Sequence, residues 1–236
     1  MRAICIIPAR GGSKRIPRKN IKPFFGKPII AYSIEAALES NIFSEIIVST
    51  DCEEIAEVSK EHGATVPFMR SEKTSDDYAA LTDVIDEVLL DSEIKNLCFD
   101  YAACLLATAP LVRSRDLVAG FRELGKSDAR VVCPVVPFEY PVQRALKISD
   151  GRLTMLDEEQ ENVRSQDLEK TFHDAGQWYW IRLEDGKSPD NLLSGPTKPY
   201  PISLLSAHDI DTLEDWKLAE LKYQLMVEEN EISDSV

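Results

Sequence analysis

From its first residues to about residue 136, the chain alternates short unbroken apolar runs with segments of helical spacing. Arg2 to Pro8 is an Ile-rich run of the kind a strand shows when both its faces are covered. Pro28 to Ser40 repeats apolar residues at helical intervals (Ile30, Ile34, Ala37, Leu38), with Pro28 suited to a first turn. Glu45 to Ser49 reads as a second strand. Thr50 or Asp51 is placed to cap the helix that follows through about His62, and Gly63 to end it. A strand near Ala64 to Phe68, a polar loop, and a helix from about Tyr78 to Leu90 come next. Phe99 to Ala107 predicts a central strand, Asp116 to Leu124 a helix, and Arg130 to Val136 another strand. Strands and helices in this rhythm admit few folds. The expectation is an α/β fold, a Rossmann-like, mostly parallel sheet flanked by helices, in a single domain over residues 1–236.

The rhythm breaks after Pro137. Residues 137–171 hold two short alternating runs, Ala145 to Ile148 and Arg152 to Met155, joined by Ser149-Asp150-Gly151, a hairpin signal. This stretch predicts an inserted antiparallel arm. Gln177 to Arg182 resumes a strand, and Glu184 to Thr197 is turn-rich. A last helix is expected from about Leu213 to Val227, followed by a frayed acidic tail, Glu228 to Val236.

Charge is distributed unevenly. The formal net charge is −14, yet the first 34 residues carry eight Lys or Arg and no Asp or Glu. An acidic surface repels polyanions, so nucleic acid is excluded as a partner, whereas a small anion in a focused positive cleft fits. Five cysteines lie far apart with no CxxC pair, which predicts buried reduced thiols rather than disulfides or a zinc site. The N-terminal apolar run is too short to span a membrane and lacks a cleavage site, so a cytoplasmic protein without a membrane partner is expected.

Three constellations carry chemistry. The first is the loop after the first run, Arg10-Gly11-Gly12-Ser13-Lys14-Arg15, continuing to Lys19-Asn20. Ligands of open parallel sheets bind beyond the carboxyl ends of the strands, where this loop starts. Arg10, Lys14, Arg15 and Lys19 could converge on a triphosphate, with Gly11, Gly12 and Ser13 as backbone and hydroxyl donors; the alternative is an ordinary basic loop. The spacing matches neither a Walker motif nor a dinucleotide fingerprint. The second is His208-Asp209-Ile210-Asp211-Thr212. In an extended segment Asp209 and Asp211 face the same way, as a Mg²⁺ pair beside a polyphosphate would, while Asp211 or Thr212 could equally cap the last helix. His208 suits an ordinary hydrogen bond. The third, Arg164-Ser165-Gln166-Asp167 with His173-Asp174-Ala175-Gly176-Gln177-Trp178-Tyr179-Trp180, suits an acidic sugar with Arg164 on its carboxylate, although aromatics at such spacing are more often core.

Together these stretches resemble the nonulosonate cytidylyltransferases, the family that activates sialic-acid-like sugars as CMP conjugates. The resemblance rests on Ile7-Pro8-Ala9-Arg10-Gly11-Gly12-Ser13-Lys14, Lys19-Asn20, Val48-Ser49-Thr50-Asp51, Thr108-Ala109-Pro110 and Asp209-Ile210-Asp211-Thr212, in that order over nearly the whole chain. Residues 15–20, Gln143-Arg144-Ala145-Leu146 and the Arg164 and His173 stretches look most like the pseudaminic acid branch. Ala107-Thr108-Ala109-Pro110 departs from the Gln that sialic-acid members usually carry just before Thr-Ser-Pro.

The resemblance implies CTP and a nonulosonic acid as substrates and Mg²⁺ as cofactor. Arg10, Ser13, Lys19 and Asn20 would contact the nucleotide, with Gly11, Gly12, Lys14 and Arg15 nearby and Arg70 toward the cytosine. It further implies Arg10, Lys19, Asp209 and Asp211 as the catalytic set, Asp209 and Asp211 as the metal ligands, and Arg164, Gln166, His173 and Gln177 around the sugar. By the same resemblance, the 137–171 arm forms a homodimer. Rival readings are a synthetase for N-acetylneuraminate, legionaminate or octulosonate, and a non-catalytic nucleotide-binding module.

Overall fold

A computed structural model describes residues 1–76 and 78–233. Its elements run β1 (Ala3–Pro8), β2 (Pro23–Phe24), β3 (Lys27–Pro28), α1 (Ile29–Ser40), β4 (Glu45–Ser49), α2 (Glu53–Glu61), α3 (Glu72–Ser75), α4 (Leu81–Leu90) and α5 (Ser92–Lys95). The order continues with β5 (Tyr101–Leu105), α6 (Ser114–Gly125), β6 (Val131–Pro137), β7 (Leu146–Ser149), β8 (Arg152–Met155), β9 (Phe172–Asp174), β10 (Trp178–Arg182), β11 (Thr197–Pro201) and α7 (Leu213–Ser233).

The main sheet has the order β11-β6-β10-β5-β1-β4, with β9 paired to the end of β6. β1 runs parallel to β4 and β5, and β11 parallel to β6; β10 and β9 are the antiparallel members. The period-two pattern of each strand divides the core. Ala3, Cys5 and Ile7 of β1 join Trp178 and Trp180 of β10 in one layer, against Ile34, Ala37 and Leu117 of α1 and α6. Ile4 and Ile6 join Tyr179 and Ile181 in the other, against Ile85, Val88 and Leu89 of α4. The aromatic run at 178–180 is therefore core. Gly120 of α6 is a contact point there, because a Cβ would lie 2.4 Å from Cη2 of Trp178. All five cysteines are free thiols, and Cys5, Cys104 and Cys133 are buried.

The elements that differ from expectation do so for local reasons. The strand near 64–68 reduces to one bridge, Thr65 beside Ile47, because Pro67 cannot donate to a ladder. Neither Thr50 nor Asp51 caps α2 by its side chain; Cys52 takes that position. β11 lies in a Pro-containing stretch where no element is expected from the sequence, and a strand at the edge of the sheet tolerates Pro199 and Pro201. α7 continues past Val227 through Ser233, with no Gly or Pro to stop it. Residues 234–236 of the expected tail lie outside the described residues.

The arm leaves and returns on one ladder. Val135, Val136 and Pro137 of β6 pair with Asp174, His173 and Phe172 of β9, and the amide of Phe138 donates to Thr171 O at 3.0 Å. Beyond that base, β7 and β8 pair with Ser149 opposite Arg152, so Asp150 and Gly151 form the turn, both at positive φ. This is the two-residue turn whose twist matches a hairpin. Among the described residues, no helix is long and apolar enough to cross a membrane.

Candidate active site

The loop after β1 is held by its own residues. The amide of Gly11 donates to Asp51 Oδ1 at 2.7 Å, and a Cβ on Gly11 would sit 3.0 Å from Cβ of Cys52, so the backbone passes close to the start of α2. Asn20, buried, turns its amide back to Arg10 O at 2.9 Å. Ile16 is 1% exposed and anchors the loop in a small aromatic-rich core with Phe24, Tyr32 and Trp216.

Ile210 occupies the same small core. This shared burial joins the two distant constellations. With Ile210 turned inward, Asp209 and Asp211 stand on the other side of the segment, as the period-two argument requires. The segment lies against the loop: Arg15 Nη1 meets Asp211 Oδ2 at 2.7 Å, Lys19 Nζ lies 3.5 Å from Asp211 Oδ1, and Lys19 Nζ donates to Ile210 O at 2.6 Å.

The question of capping is resolved in favour of Thr212. Its hydroxyl accepts from the Asp215 amide at 3.2 Å, and the Asp215 carboxylate accepts from the amides of Thr212 (2.7 Å) and Asp211 (3.1 Å), a reciprocal cap at the start of α7. The Asp211 carboxylate is thus left for the loop. His208 has no hydrogen-bond partner on its buried Nε2 among the described residues, contrary to the ordinary hydrogen bond expected, and stands 3.8 Å from Asp215. Burial and the nearby Lys222 lower its pKa.

The seven cations between Arg10 and Lys27 divide into two groups. Arg18 pairs with Glu54, Lys27 with Glu35, and Lys22 lies 5.1 Å from the ring centre of Trp216. Arg10, Lys14, Arg15 and Lys19 line a cavity of about 550 Å³ beyond the carboxyl end of β1. Ser13, Asn20 and Arg70 share that lining with Ala107 and Thr108. Gly11 and Gly12 do not, and the Gly11 N–H is committed to Asp51.

Arg70 is a buried brace in the cavity wall. Its Nε donates to Ser49 Oγ at 3.0 Å, Nη2 to Ser49 O, and Nη1 to Thr74 O at 3.3 Å. Burial pulls its pKa down, while Asp51 and Glu87 oppose that. Glu87 completes the brace by accepting from the Thr74 hydroxyl and the Ser71 amide. Residue types alone did not single out Glu87 or Thr74. The signal that could have found them is the polar loop of 71–77 facing a predicted helix.

Asp209 and Asp211 fit a divalent cation. Both offer hard oxygen ligands, and a magnesium ion needs only one or two carboxylates when phosphates and waters supply the rest. Partial desolvation pushes the Asp209 carboxyl above the ordinary aspartate range, and the Asp211 charge adds to this against Lys19 and Arg15. A cation between the two would relieve that repulsion. Gly176 sets the neighbouring surface: a Cβ on it, at φ +64°, would lie 3.5 Å from Cβ of Asp209.

The residues expected around the sugar are not gathered in one place. His173 lies on β9, its Nδ1 2.8 Å from Asp174 O and its ring 4.9 Å from that of Phe138. Gln177 is 3% exposed and donates to Ser206 O, so it ties β10 to the segment before His208. Arg164 and Gln166 are on the arm: Arg164 Nε donates to Asp167 Oδ2 at 2.7 Å, and Gln166 lines a separate hollow at the arm's base with Phe138 and Glu169.

Comparison with known proteins gives the chain a family. The family model described as Cytidylyltransferase matches residues 4–187. Pseudaminic acid cytidylyltransferase of Campylobacter jejuni is 41% identical over 95% of this chain and 97% of its own length. CMP-N,N'-diacetyllegionaminic acid synthase of Legionella pneumophila is 33% identical over the same shares, 95% and 97%. Among solved structures, CMP:2-keto-3-deoxy-manno-octonic acid synthetase complexed with CTP superimposes with a TM-score of 0.68 at 18% identity, covering 97% of this chain and all of that one. That likeness speaks for the fold. Family match, close relatives and site lead to one statement: the chain belongs to the cytidylyltransferase family.

Proposed function

We propose that this cytidylyltransferase transfers CMP from CTP to the anomeric hydroxyl of pseudaminic acid and releases pyrophosphate. The observation that carries the reading is the contact of two cavity-lining cations, Arg15 and Lys19, with Asp211, beside the shared burial of Ile16 and Ile210 in one small core. A cavity of about 550 Å³ suits a nucleotide. The choice of pseudaminic acid is supported by the 41% identity of the Campylobacter relative, against 33% for the legionaminic acid synthase.

In the reaction the sugar oxygen forms a bond to the α-phosphorus, and the bond from that phosphorus to the bridging oxygen breaks. Pyrophosphate leaves with the electron pair. The hydroxyl proton passes to a carboxylate of the pair or to water held by it. Arg10 and Lys19 neutralise charge growing on the α-phosphate and the departing pyrophosphate, so positioning and electrostatics do most of the catalysis. Asp209 and Asp211 would hold Mg²⁺, which supplies Lewis-acid charge to the phosphate oxygens when bound. Arg70 and Glu87 hold the wall on the cytosine side.

The arm is read as the contact with a second copy. One face of its hairpin carries Leu146, Ile148 and Leu153, which are 60, 77 and 66% exposed, and cross-strand pairing sets Leu146 beside Met155 and Ile148 beside Leu153. Arg164 and Gln166, on the same arm, would then reach the sugar from the neighbouring subunit. A cytoplasmic location accords with free thiols throughout.

Pyrophosphate release with CTP and a panel of pseudaminic, legionaminic, N-acetylneuraminic and octulosonic acids tests the reading. The highest kcat/KM is expected with pseudaminic acid, and Asp211→Ala is expected to abolish Mg²⁺-dependent turnover in a folded protein. Preference for another sugar would reassign the substrate, and no release with any would leave only nucleotide binding.

A further inference from the structure

Arg15 faces two ways. It lines the cavity assigned to the triphosphate, and its guanidinium is bonded to a carboxylate assigned to the metal. Those two duties compete for one cation.

We propose that Arg15 is the exchangeable counter-ion of Asp211, holding that carboxylate until a nucleotide triphosphate binds, then moving to the phosphates and releasing Asp211 to a divalent cation. The inference deepens the reading above and rests on it.

Three observations carry it. The first is the contrast between the two cations on Asp211. Lys19 is 19% exposed at its side chain and donates to Ile210 O, so it is fixed in place. Arg15 is 66% exposed, and its bond to Asp211 is the one hydrogen bond its guanidinium makes among the described residues. The second is geometry. Arg15 uses one nitrogen, Nη1, on one oxygen, Oδ2, which leaves most of its planar donor fork unused. A phosphate offers that fork the paired contacts which the present bond lacks. The third is magnitude. A solvent-screened ion pair contributes little, so a triphosphate in the same cavity outcompetes it.

The release has a consequence for metal binding. Asp209 and Asp211 lie close enough for their charges to interact, and the loop cations offset that repulsion. Moving Arg15 away restores the full negative charge of the pair at the moment the phosphates arrive. Nucleotide and divalent cation therefore promote each other's binding through Arg15, in addition to their direct contact. In the nucleotide-free protein the same residue weakens metal binding.

The test is calorimetric titration of CTP in EDTA into the full-length protein, its Asp211→Asn and Arg15→Gln variants, and the double variant. Without metal, Asp211→Asn frees Arg15 and is expected to tighten CTP about five-fold or more. In the Arg15→Gln background the same change is expected to shift affinity about two-fold at most. Equal tightening in both backgrounds would reduce the effect to general charge repulsion and overturn the hand-over while leaving the nucleotide reading intact. Failure of the wild-type protein to bind CTP would overturn both. Unfolding midpoints within about 4 °C of wild type establish that the variants are folded. A second readout uses Mn²⁺ alone: by electron paramagnetic resonance, nucleotide-free Arg15→Gln should bind it more tightly than wild type. Unchanged or weaker binding would contradict the proposal.

Discussion

The basic loop and the arm are both excursions from the same sheet, and they are built in opposite ways. The loop spans a few residues yet is fastened at three places: Gly11 to Asp51, Asn20 to Arg10, and Ile16 into a core that also holds Ile210. Burial elsewhere in the segment prepositions Lys19, whereas Arg15 stays exposed. The arm is longer and, among the described residues, fastened to the sheet at its base by the β6–β9 ladder, while its hairpin leaves leucine and isoleucine in solvent. One region is braced within a single chain; the other leaves an apolar face uncovered. Chemistry that depends on sub-ångström placement suits the first; the second is the face proposed above as the contact with another copy.

That contrast can be broken by substitution. The largest effect is expected at Lys19, where Ala should lower kcat roughly 10²-fold or more with little change in oligomeric state. A change confined to KM would remove Lys19 from the transition state. Next is the arm. Charging its apolar face with Ile148→Lys and Leu153→Glu together should convert a dimer to a monomer in sedimentation velocity, raise the sugar KM by about ten-fold, and leave the unfolding midpoint of the protomer nearly unchanged. A dimer that persists would return the hairpin to an ordinary surface.

The smallest effect sharpens the loop side. Burial pushes the Glu87 carboxyl up, but hydrogen bonds from Thr74 and Ser71 and the Arg70 charge outweigh it, so the pKa is lowered overall. A carboxylate with a depressed folded-state pKa contributes stability above its unfolded pKa and loses it as the pH falls through the folded value. Glu87→Gln should therefore cost about 1–2 kcal/mol at neutral pH, seen as a lower unfolding midpoint, and the difference should close below about pH 4. A gap that stays constant with pH would point to packing instead of charge.

Much of this was legible in residue order. Strand and helix alternation predicts the sheet because buried parallel strands are continuously apolar, and Asp150-Gly151 predicts the hairpin turn because few other pairs accept two positive φ values. The Asp209/Asp211 pair is legible from a period of two. What stayed hidden depends on tertiary placement. No spacing reveals that Ile16 and Ile210 share a core, and that shared burial, with the Lys19 bond to Ile210 O, brings the carboxylates to the loop. Asp51 reads as a helix cap and serves as the anchor of Gly11, because a carboxylate beside a tight loop finds the nearer amide. The resemblance implies Gln177 at the sugar; in the structure its side chain is buried and donates to Ser206 O. Likewise β11 escapes notice because its prolines are tolerated only at an edge, and edges are properties of the assembled sheet.

The central claim is that the cationic loop and the carboxylate pair form one site. A crystal structure with CTP and Mn²⁺, read by anomalous scattering, tests it most directly. The triphosphate is expected in the cavity lined by Arg10, Lys14, Arg15 and Lys19, with a manganese peak bonded to Asp211 and a phosphate oxygen. A triphosphate bound in that cavity with manganese away from both aspartates, or a triphosphate bound elsewhere, would contradict it.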